Sequence, residues 1–286
     1  MKTLNEQGIT RLKSLLTLLD DEDNSIYNIA REKLISMGEL ALPYLVNYLH
    51  VAEPVLKERV REAYEVIASE ALLEQMRTFC KKYGEEVDLE EGALLIARPS
   101  LPHVDMRTFS DLLNFFAAEL RSRLDLQDAP EEIASRIGRY LSEEKGFSGV
   151  EVNYYDSDFH YVPSVLEMRR GVPISLSVIY LLVLRRLNLP VVGIGMPGHF
   201  IIRYDLGGKH LFADPSNGGK LLSVKECEKY LIKTGYAFKN EYLDPVSNKK
   251  ILERMIRNLV LVFEKQDQLG RVQTLLRCID ILNSNV

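Results

Sequence analysis

The chain has 286 residues, 46% of them hydrophobic and 27% charged, a composition typical of a folded globular protein and not of a disordered one. The formal net charge of -5 argues against a nucleic-acid partner, because such binding needs a clustered basic surface. No apolar stretch is long enough to span a bilayer and the first residues lack the apolar core of a signal peptide, which predicts a cytoplasmic protein without a membrane partner.

Cysteine and histidine spacing indicates neither a metal site nor a disulfide framework. The three cysteines, Cys80, Cys227 and Cys278, are odd in number and far apart, as is typical of reduced thiols. No CxxC or HExxH pattern occurs among them and the five histidines, so we expect neither a metal nor another cofactor. The histidines are His50, His103, His160, His199 and His210.

The first part of the chain predicts paired helices. Apolar residues recur at helical spacing over residues 26–37 and again over residues 42–49. Asn24 or Ser25 can cap the first of these helices, and Gly38 can end it. Two consecutive amphipathic helices joined by a short turn are therefore expected.

This helix pair resembles a HEAT repeat. The residues that carry the resemblance are Asp23, Ala30, Leu34, Gly38, Pro43 and Leu45, and residues 53–68 begin a further helix. An unrelated helical hairpin is the alternative, since one and a half repeats are a small sample. The resemblance implies a HEAT-like helical region over residues 1–82.

Two further helical regions are predicted. The first extends from residue 70 to 144 and is broken by Gly84 and by two proline-containing segments. Within it, residues 109–124 form an amphipathic pattern at helical period. The second lies near the end of the chain, where residues 251–266 and 271–282 predict an antiparallel helical pair.

The middle of the chain, residues 146–223, predicts a compact α/β core. A strongly apolar helix begins after Gly171 with PISLSVIYLLVLRRLN. Because it is apolar on most sides, we expect it to be central and buried. Three strands follow at residues 190–196, 199–204 and 210–214, each bounded by glycine or proline.

The stretch HFIIRYDLGGKHLFAD predicts a β-hairpin with a histidine at one end and an aspartate at the other. If the turn is centred between Leu206 and Gly207, His199 lies directly opposite Asp214, with Cβ atoms about 4.5–5.5 Å apart. A carboxylate at that distance fixes the imidazole tautomer and raises its basicity, the orienting role in a nucleophile-base-orienter triad. The alternative is that both residues cap turns or meet solvent.

Residues 171–219 resemble the core of the transglutaminase-like fold, in which a cysteine starts a buried helix and a histidine and an aspartate follow on adjacent strands. His199 and Asp214 fall on the histidine and aspartate positions. The resemblance is closer to the SirB1-type branch, because LEMRRGVPISLS and MPGHF are similar to the two signature segments of that branch.

The resemblance implies an α+β fold with a transglutaminase-like, papain-like core, in which a central helix packs on a small antiparallel sheet. This region is expected over residues 83–246, with a helical lead-in at 83–145 and the α/β core at 146–223. The HEAT-like helices precede it, and a TPR-like helical pair at residues 247–286 follows it.

The chain departs from the family at the nucleophile, because Pro173 occupies the position of the family's cysteine. Proline has no group that attacks a carbonyl, so the thiolate step of acyl transfer is missing. Ser175 is expected to point away from His199, whereas Ser177 returns to the same helix face one turn deeper. Its hydroxyl is expected to bond back to the helix, but it is the remaining candidate nucleophile of the motif.

Without a nucleophile, His199 and Asp214 have two other interpretations. They can form a structural pair that fixes the register of the hairpin, or they can belong to a ligand cleft at the former active site. Tyr155, His160 and Ser175 are predicted to line that cleft. Packing against the base of the helix is the alternative for the tyrosine.

Three hypotheses about function follow. The first is a non-catalytic protein with a degenerate active site that binds a protein or peptide partner. The second is an enzyme, a peptidase or acyl transferase, that brings Ser177, Cys80 or Cys227 to His199 and Asp214. The third is a helical-repeat adaptor whose binding surface lies within residues 1–82. The proline at position 173 favours the first.

Overall fold

The computed structural model describes residues 4–51, 53–102, 104–150 and 154–284, so His103 and the side chain of His50 fall outside it. The α-helices within those residues are α1 (Glu6–Leu18), α2 (Asn24–Ile35), α3 (Leu42–Val51), α4 (Pro54–Tyr83), α5 (Leu89–Ala97), α6 (Met106–Arg121), α7 (Pro130–Arg139), α8 (Val162–Met168), α9 (Pro173–Arg186), α10 (Val224–Lys233), α11 (Asn248–Lys265) and α12 (Leu269–Asn283). The strands are β1 (Ser148–Gly149), β2 (Arg170–Gly171), β3 (Val191–Ile194), β4 (Ile201–Leu206), β5 (Lys209–Asp214), β6 (Lys220–Leu222) and β7 (Pro245–Val246).

The chain divides into two compact units. The first comprises Met1–Thr78 and Arg98–His103, and the second comprises Phe79–Ala97 and Val104–Val286. Every residue that the sequence predicts at the candidate site belongs to the second unit.

The first unit is a set of helices around its own apolar core. Leu12, Leu34 and Leu45 are among the fully buried residues of that core. Helix α2 is capped by Asp23, whose carboxylate accepts the backbone N–H of Ser25 at 2.8 Å. The cap is therefore neither of the predicted residues, Asn24 or Ser25, but the residue before them, because Asp23 has extended backbone angles.

The second unit contains a five-stranded sheet with the order β6-β5-β4-β3-β7, in which every neighbouring pair is antiparallel. Helix α9 packs on this sheet at β3 and β4. All of its residues from Ile174 to Leu184 are buried, as expected of a helix that is apolar on most sides. The predicted mixed fold with a central helix and a small antiparallel sheet is confirmed.

The predicted register of the β4–β5 hairpin is wrong. Leu206 pairs with Lys209, so the turn consists of Gly207 and Gly208 and is centred one bond later than predicted. Both glycines have positive φ, 56° and 74°, which is the backbone of a two-residue turn that matches strand twist. In the observed register, the β5 partner of each β4 residue lies two residues further along the chain than predicted. A shift of two residues leaves each side chain on the predicted face of the sheet.

The C-terminal helices α11 and α12 pack against each other, and α11 also contacts α5 and α9. Helix α11 begins three residues earlier than predicted. The hydroxyl of Ser247 accepts the backbone N–H of Lys250 at 3.3 Å and so caps the added turn. The polar start of α11 and the residues that follow it belong to the second unit.

Candidate functional site

His199 and Asp214 form a hydrogen-bonded pair at the end of the hairpin. The Nε2–H of His199 donates to Oδ2 of Asp214 at 2.9 Å, and the two side chains are only 11% and 12% exposed. Asp214 lies across from Ile201 in the observed register, so His199 reaches it diagonally from two residues before β4. Diagonal neighbours in a sheet lie within reach of long side chains. The predicted contact between His199 and Asp214 therefore exists, although the register from which it was predicted is wrong.

Asp214 is held by more than the histidine. Its Oδ1 accepts the backbone N–H of Ser216 at 3.0 Å and the hydroxyl of the same residue at 2.6 Å. Burial raises the pKa of the Asp214 carboxyl, but the hydrogen bonds and charge of His199 and the bonds from Ser216 outweigh it. The net pKa lies below its ordinary value, so the carboxylate is ionised at neutral pH.

The histidine keeps one nitrogen available. Since Nε2–H donates to the carboxylate, Nδ1 is the nitrogen that carries the lone pair in the uncharged form of the ring. Among the described ranges, Nδ1 has no hydrogen-bond partner. The arrangement is therefore that of an oriented base with an unused acceptor.

Two neighbouring side chains hold the loop that carries His199. Arg254 of α11 donates from Nη2 to the His199 carbonyl at 2.9 Å. The ring of Tyr230 of α10 lies 4.9 Å from the imidazole, centroid to centroid, and its hydroxyl donates to the Gly198 carbonyl at 3.3 Å. Gly198 has a φ of 72°, which permits the tight bend before the histidine.

Helix α9 presents no nucleophile at its start. Pro173 is its first residue, and Ser177, one turn later, is fully buried and donates to the Phe200 carbonyl at 3.3 Å. The predicted bond back to the helix is therefore corrected: the hydroxyl crosses to the segment beside His199 instead. Since residues four apart share a helix face, Pro173 also lies on the side of α9 that faces this segment.

Two of the three predicted cleft residues are interior. Ser175 is buried and donates its hydroxyl to the His160 carbonyl at 2.8 Å. His160 is buried as well, and its Nε2 bonds the Tyr154 carbonyl at 2.7 Å. They therefore support the loop at residues 154–160. The sequence predicted that they line a cleft, but their side chains do not lie on an open surface. Tyr155 is the exception, with 51% of its surface exposed.

Burial lowers the pKa of the His160 imidazole, against the opposite effect of its hydrogen bond to Tyr154. The ring is neutral at neutral pH, and its buried Nδ1 has no hydrogen-bond partner among the described residues. Tyr154 packs edge-on against the imidazole with a centroid separation of 5.1 Å. His160 therefore fixes Tyr154, which is itself partly exposed.

No cysteine of the described residues supplies a displaced thiolate. Cys80, Cys227 and Cys278 are all buried. Burial, with the nearby charges of Glu226 and Asp214, raises the pKa of the Cys227 thiol to about 11. Burial likewise raises the pKa of Cys80. Both thiols are protonated at neutral pH, and reactive cysteines need the opposite environment.

Within the described part of the chain, no three His, Cys, Asp or Glu side chains lie together as metal ligands would. None of its helices combines the length and apolar character that crossing a bilayer requires.

Sequence patterns missed Arg254 and Tyr230, the two side chains that hold the histidine loop. Arg254 interrupts the apolar face of α11 between the buried residues Ile251 and Met255. A charged residue at such a position is a usable signal for a polar site, because burying an unpaired charge is costly. Tyr230 carries no comparable local signal, since tyrosine is common on half-buried helix faces.

Comparison with protein families identifies the class. The family model described as transglutaminase-like superfamily matches residues 107–257, which is more than half of the chain. The match contains α9, the hairpin and the His199–Asp214 pair. The chain belongs to the transglutaminase-like superfamily.

Curated proteins of two kinds are similar to the chain. A UPF0162 protein of Xylella fastidiosa is 35% identical over 203 residues, covering 68% of this chain and 71% of the relative. F-box only protein 21 of Mus musculus is 32% identical over 173 residues, covering 58% of this chain but 27% of the relative. A UPF0162 protein of Vibrio cholerae is 26% identical over 210 residues, or 72% of this chain and 76% of the relative. No solved structure matches the chain at a significant level.

Proposed function

We propose that this chain is a non-catalytic member of the transglutaminase-like superfamily, of the SirB1-type branch, that binds a protein or peptide partner at a degenerate active site. The observation that carries the proposal is Pro173 at the first position of α9, where the resemblance places the family's cysteine. Without a thiolate the acyl-enzyme step has no attacking atom. We further propose that the protein acts in the cytoplasm and that the first unit is HEAT-like.

The geometry around the proline supports the same conclusion. The two serines of the helix start, Ser175 and Ser177, donate their hydroxyls to backbone carbonyls and are buried. Neither hydroxyl bonds the imidazole of His199, which is the contact that a serine nucleophile needs. What remains is a largely buried base-orienter pair beside partly exposed tyrosines, a combination suited to recognition.

A second candidate, a peptidase or acyl transferase, is favoured by the intact His199–Asp214 pair alone. It is tested by treating the full chain with a fluorophosphonate and with iodoacetamide, followed by mass spectrometry. We expect no modification that depends on His199. Labelling of any residue that disappears in His199→Ala, while the variant keeps its thermal midpoint, would establish the enzyme and overturn the non-catalytic function.

Binding is tested separately by selecting a phage-displayed heptapeptide library against the full chain. We expect the library to yield enriched peptides whose affinity falls about tenfold in His199→Ala, because the imidazole and the neighbouring ring of Tyr230 belong to the proposed binding site. His210→Ala is the matched control, since that histidine is 64% exposed and lies at the opposite end of the hairpin. Peptides that bind both variants equally, or no enrichment at all, would reject the proposed site.

A further inference from the structure

Arg254 is a half-buried cation whose charge no described residue neutralises. Its Nη2 donates to the neutral carbonyl of His199 at 2.9 Å, and its guanidinium carbon lies 5.6 Å from the centre of the Phe200 ring. Over residues 4–51, 53–102, 104–150 and 154–284, no carboxylate pairs with it. Most of its N–H groups are therefore left for a ligand or for solvent.

Several other arginines of the second unit pair with a carboxylate. Arg186 pairs with Glu90 at 2.7 Å, and Arg203 pairs with Asp205 at 2.8 Å. Arg257, three residues after Arg254 on the same helix, pairs with Glu253 at 2.8 Å although it is far more exposed. Arg169 and Arg185 are also half-buried without a carboxylate partner among the described residues, but Arg185 donates to Oδ1 of Asn248 at 2.9 Å and Arg169 lies over the rings of Phe116 and Phe147. Arg254 is the one of these three guanidiniums that lies beside the His199 loop, and a half-buried charge without a carboxylate favours an external counter-ion.

Tyrosines surround this guanidinium on the side of the His199 loop. Burial lowers the pKa of Arg254, and the nearby Tyr154, Tyr230 and Tyr236 oppose that shift. A methyl group added at Gly198 would lie 3.9 Å from Cε2 of Tyr236 and 4.0 Å from the Tyr230 hydroxyl. Tyr154 and Tyr236 are 37% and 45% exposed, so the surroundings are aromatic and open to a ligand.

We propose that Arg254 binds a carboxylate of a peptide ligand in the cleft formed with His199, Tyr154, Tyr230 and Tyr236. This inference rests on the proposed function and specifies its ligand. A guanidinium pairs with a carboxylate through two parallel hydrogen bonds, and tyrosine rings are suited to packing on peptide backbone and side chains. The carboxylate can come from an acidic side chain or from a peptide C-terminus.

The nearby negative charge argues for a carboxylate and against a phosphate. Asp214 is ionised and bonded to His199, and the carbonyl of His199 is bonded to Arg254. A phosphate monoester carries close to two negative charges at neutral pH and would meet repulsion from Asp214. A single carboxylate matches the single charge of Arg254, with which no carboxylate of the described residues pairs.

The test uses the full chain labelled with ¹⁵N-arginine and three defined probes. The probes are acetyl-Gly-Glu-Gly-amide, acetyl-Gly-Gly-Gly with a free C-terminus, and the neutral acetyl-Gly-Gln-Gly-amide. We expect one or both carboxylate probes to shift the Nε–H resonance of Arg254 saturably, and the neutral probe to bind about tenfold more weakly. Whichever carboxylate probe binds identifies the source of the group.

Variants assign the effect to one side chain. Arg254→Gln should weaken the carboxylate probe about tenfold, whereas Arg257→Gln on the same helix should leave it unchanged. Arg254→Lys keeps the charge without the planar fork, so its affinity for the carboxylate probe should lie between those of the two glutamine variants. It replaces Arg254→Gln in the comparison if that variant is poorly folded. Thermal midpoints of all variants exclude unfolding as the cause of weaker binding.

The outcomes separate this inference from the proposed function. If the neutral probe binds as tightly as the carboxylate probes, or Arg254→Gln binds all of them unchanged, the cleft takes peptides and the carboxylate inference is overturned. If the two carboxylate probes leave the Arg254 resonance unchanged while library peptides still need His199, only the carboxylate inference is overturned. If neither probes nor library peptides bind, both are overturned.

Discussion

The strand side and the helix side of the candidate site differ in the groups that they offer for catalysis. On the strand side, His199 and Asp214 keep the geometry of a base and its orienter. On the helix side, Pro173 begins α9 and the following serines bond backbone carbonyls. The strand side has a structural reason to persist, because Asp214 also holds the turn at Ser216, so an intact pair is no sign of catalysis by itself.

Breaking the turn behind Asp214 should have the largest effect. Gly219 has a φ of 71°, its N–H donates to the Asp214 carbonyl at 2.8 Å, and an added Cβ would lie 2.7 Å from Cα of Gly138. We expect Gly219→Ala to lower the free energy of unfolding by about 3 kcal/mol, from backbone strain and steric overlap together. Gly208→Ala, whose added Cβ has no atom of the described residues within 4 Å, should cost about 1 kcal/mol. Urea unfolding measures both, and equal costs would contradict the steric explanation.

Removing the carboxylate should come next. Asp214→Ala loses three hydrogen bonds to an ionised group, and we expect it to destabilise the chain by about 2–3 kcal/mol at pH 7. The exposed pair formed by Glu131 and Lys209 is the comparison, and Glu131→Ala is expected to cost much less, because an ion pair in solvent contributes little to stability. If the two substitutions cost the same, burial of the His199–Asp214 pair would not be what gives it strength.

Acid should remove the same contribution. Because the folded-state pKa of Asp214 is depressed, the contribution is fully present above the unfolded pKa and is lost as the pH falls through the folded value. The difference in unfolding free energy between the native chain and Asp214→Ala should stay constant from pH 7 to about pH 5 and shrink below about pH 4. A difference that instead grows on acidification would contradict the depressed pKa.

A cysteine at position 173 should give the helix side the nucleophile that it lacks. In Pro173→Cys, we expect the start of α9 and the His199 imidazole both to favour a thiolate. We expect iodoacetamide to alkylate this cysteine at pH 6.5 about tenfold faster than in Pro173→Cys with His199→Ala, measured by mass spectrometry. Equal rates in the two variants would show that Pro173 is not within reach of His199.

The smallest effect should come from Ser177. Its hydroxyl makes one long hydrogen bond, 3.3 Å to the Phe200 carbonyl, so Ser177→Ala should cost about 1 kcal/mol in urea unfolding. Peptide binding should not change, because the side chain is fully buried. A loss of binding without a loss of stability would give Ser177 a role at the site that its position does not explain.

Local patterns predicted the elements of the site better than their register or their distant neighbours. The apolar run from Ile174 to Leu184 predicted a buried helix, and two glycines predicted the hairpin. The predicted register was wrong because the sequence LGGK allows two turn centres that lie one peptide bond apart. Arg254 could not be placed beside His199, since 55 residues separate them and no periodicity encodes that contact. The interior position of Ser175 and His160 likewise depends on tertiary packing.

The two-glycine turn at Gly207 and Gly208 also has a consequence for folding kinetics. It closes strands β4 and β5 over the shortest possible connection, and His199 and Asp214 are only 15 residues apart. Hairpins of this kind form in about 1–10 μs, far ahead of contacts between distant segments such as α11 and the His199 loop. We therefore expect the imidazole and carboxylate to meet early in folding, before Arg254 and the rest of the cleft assemble around them.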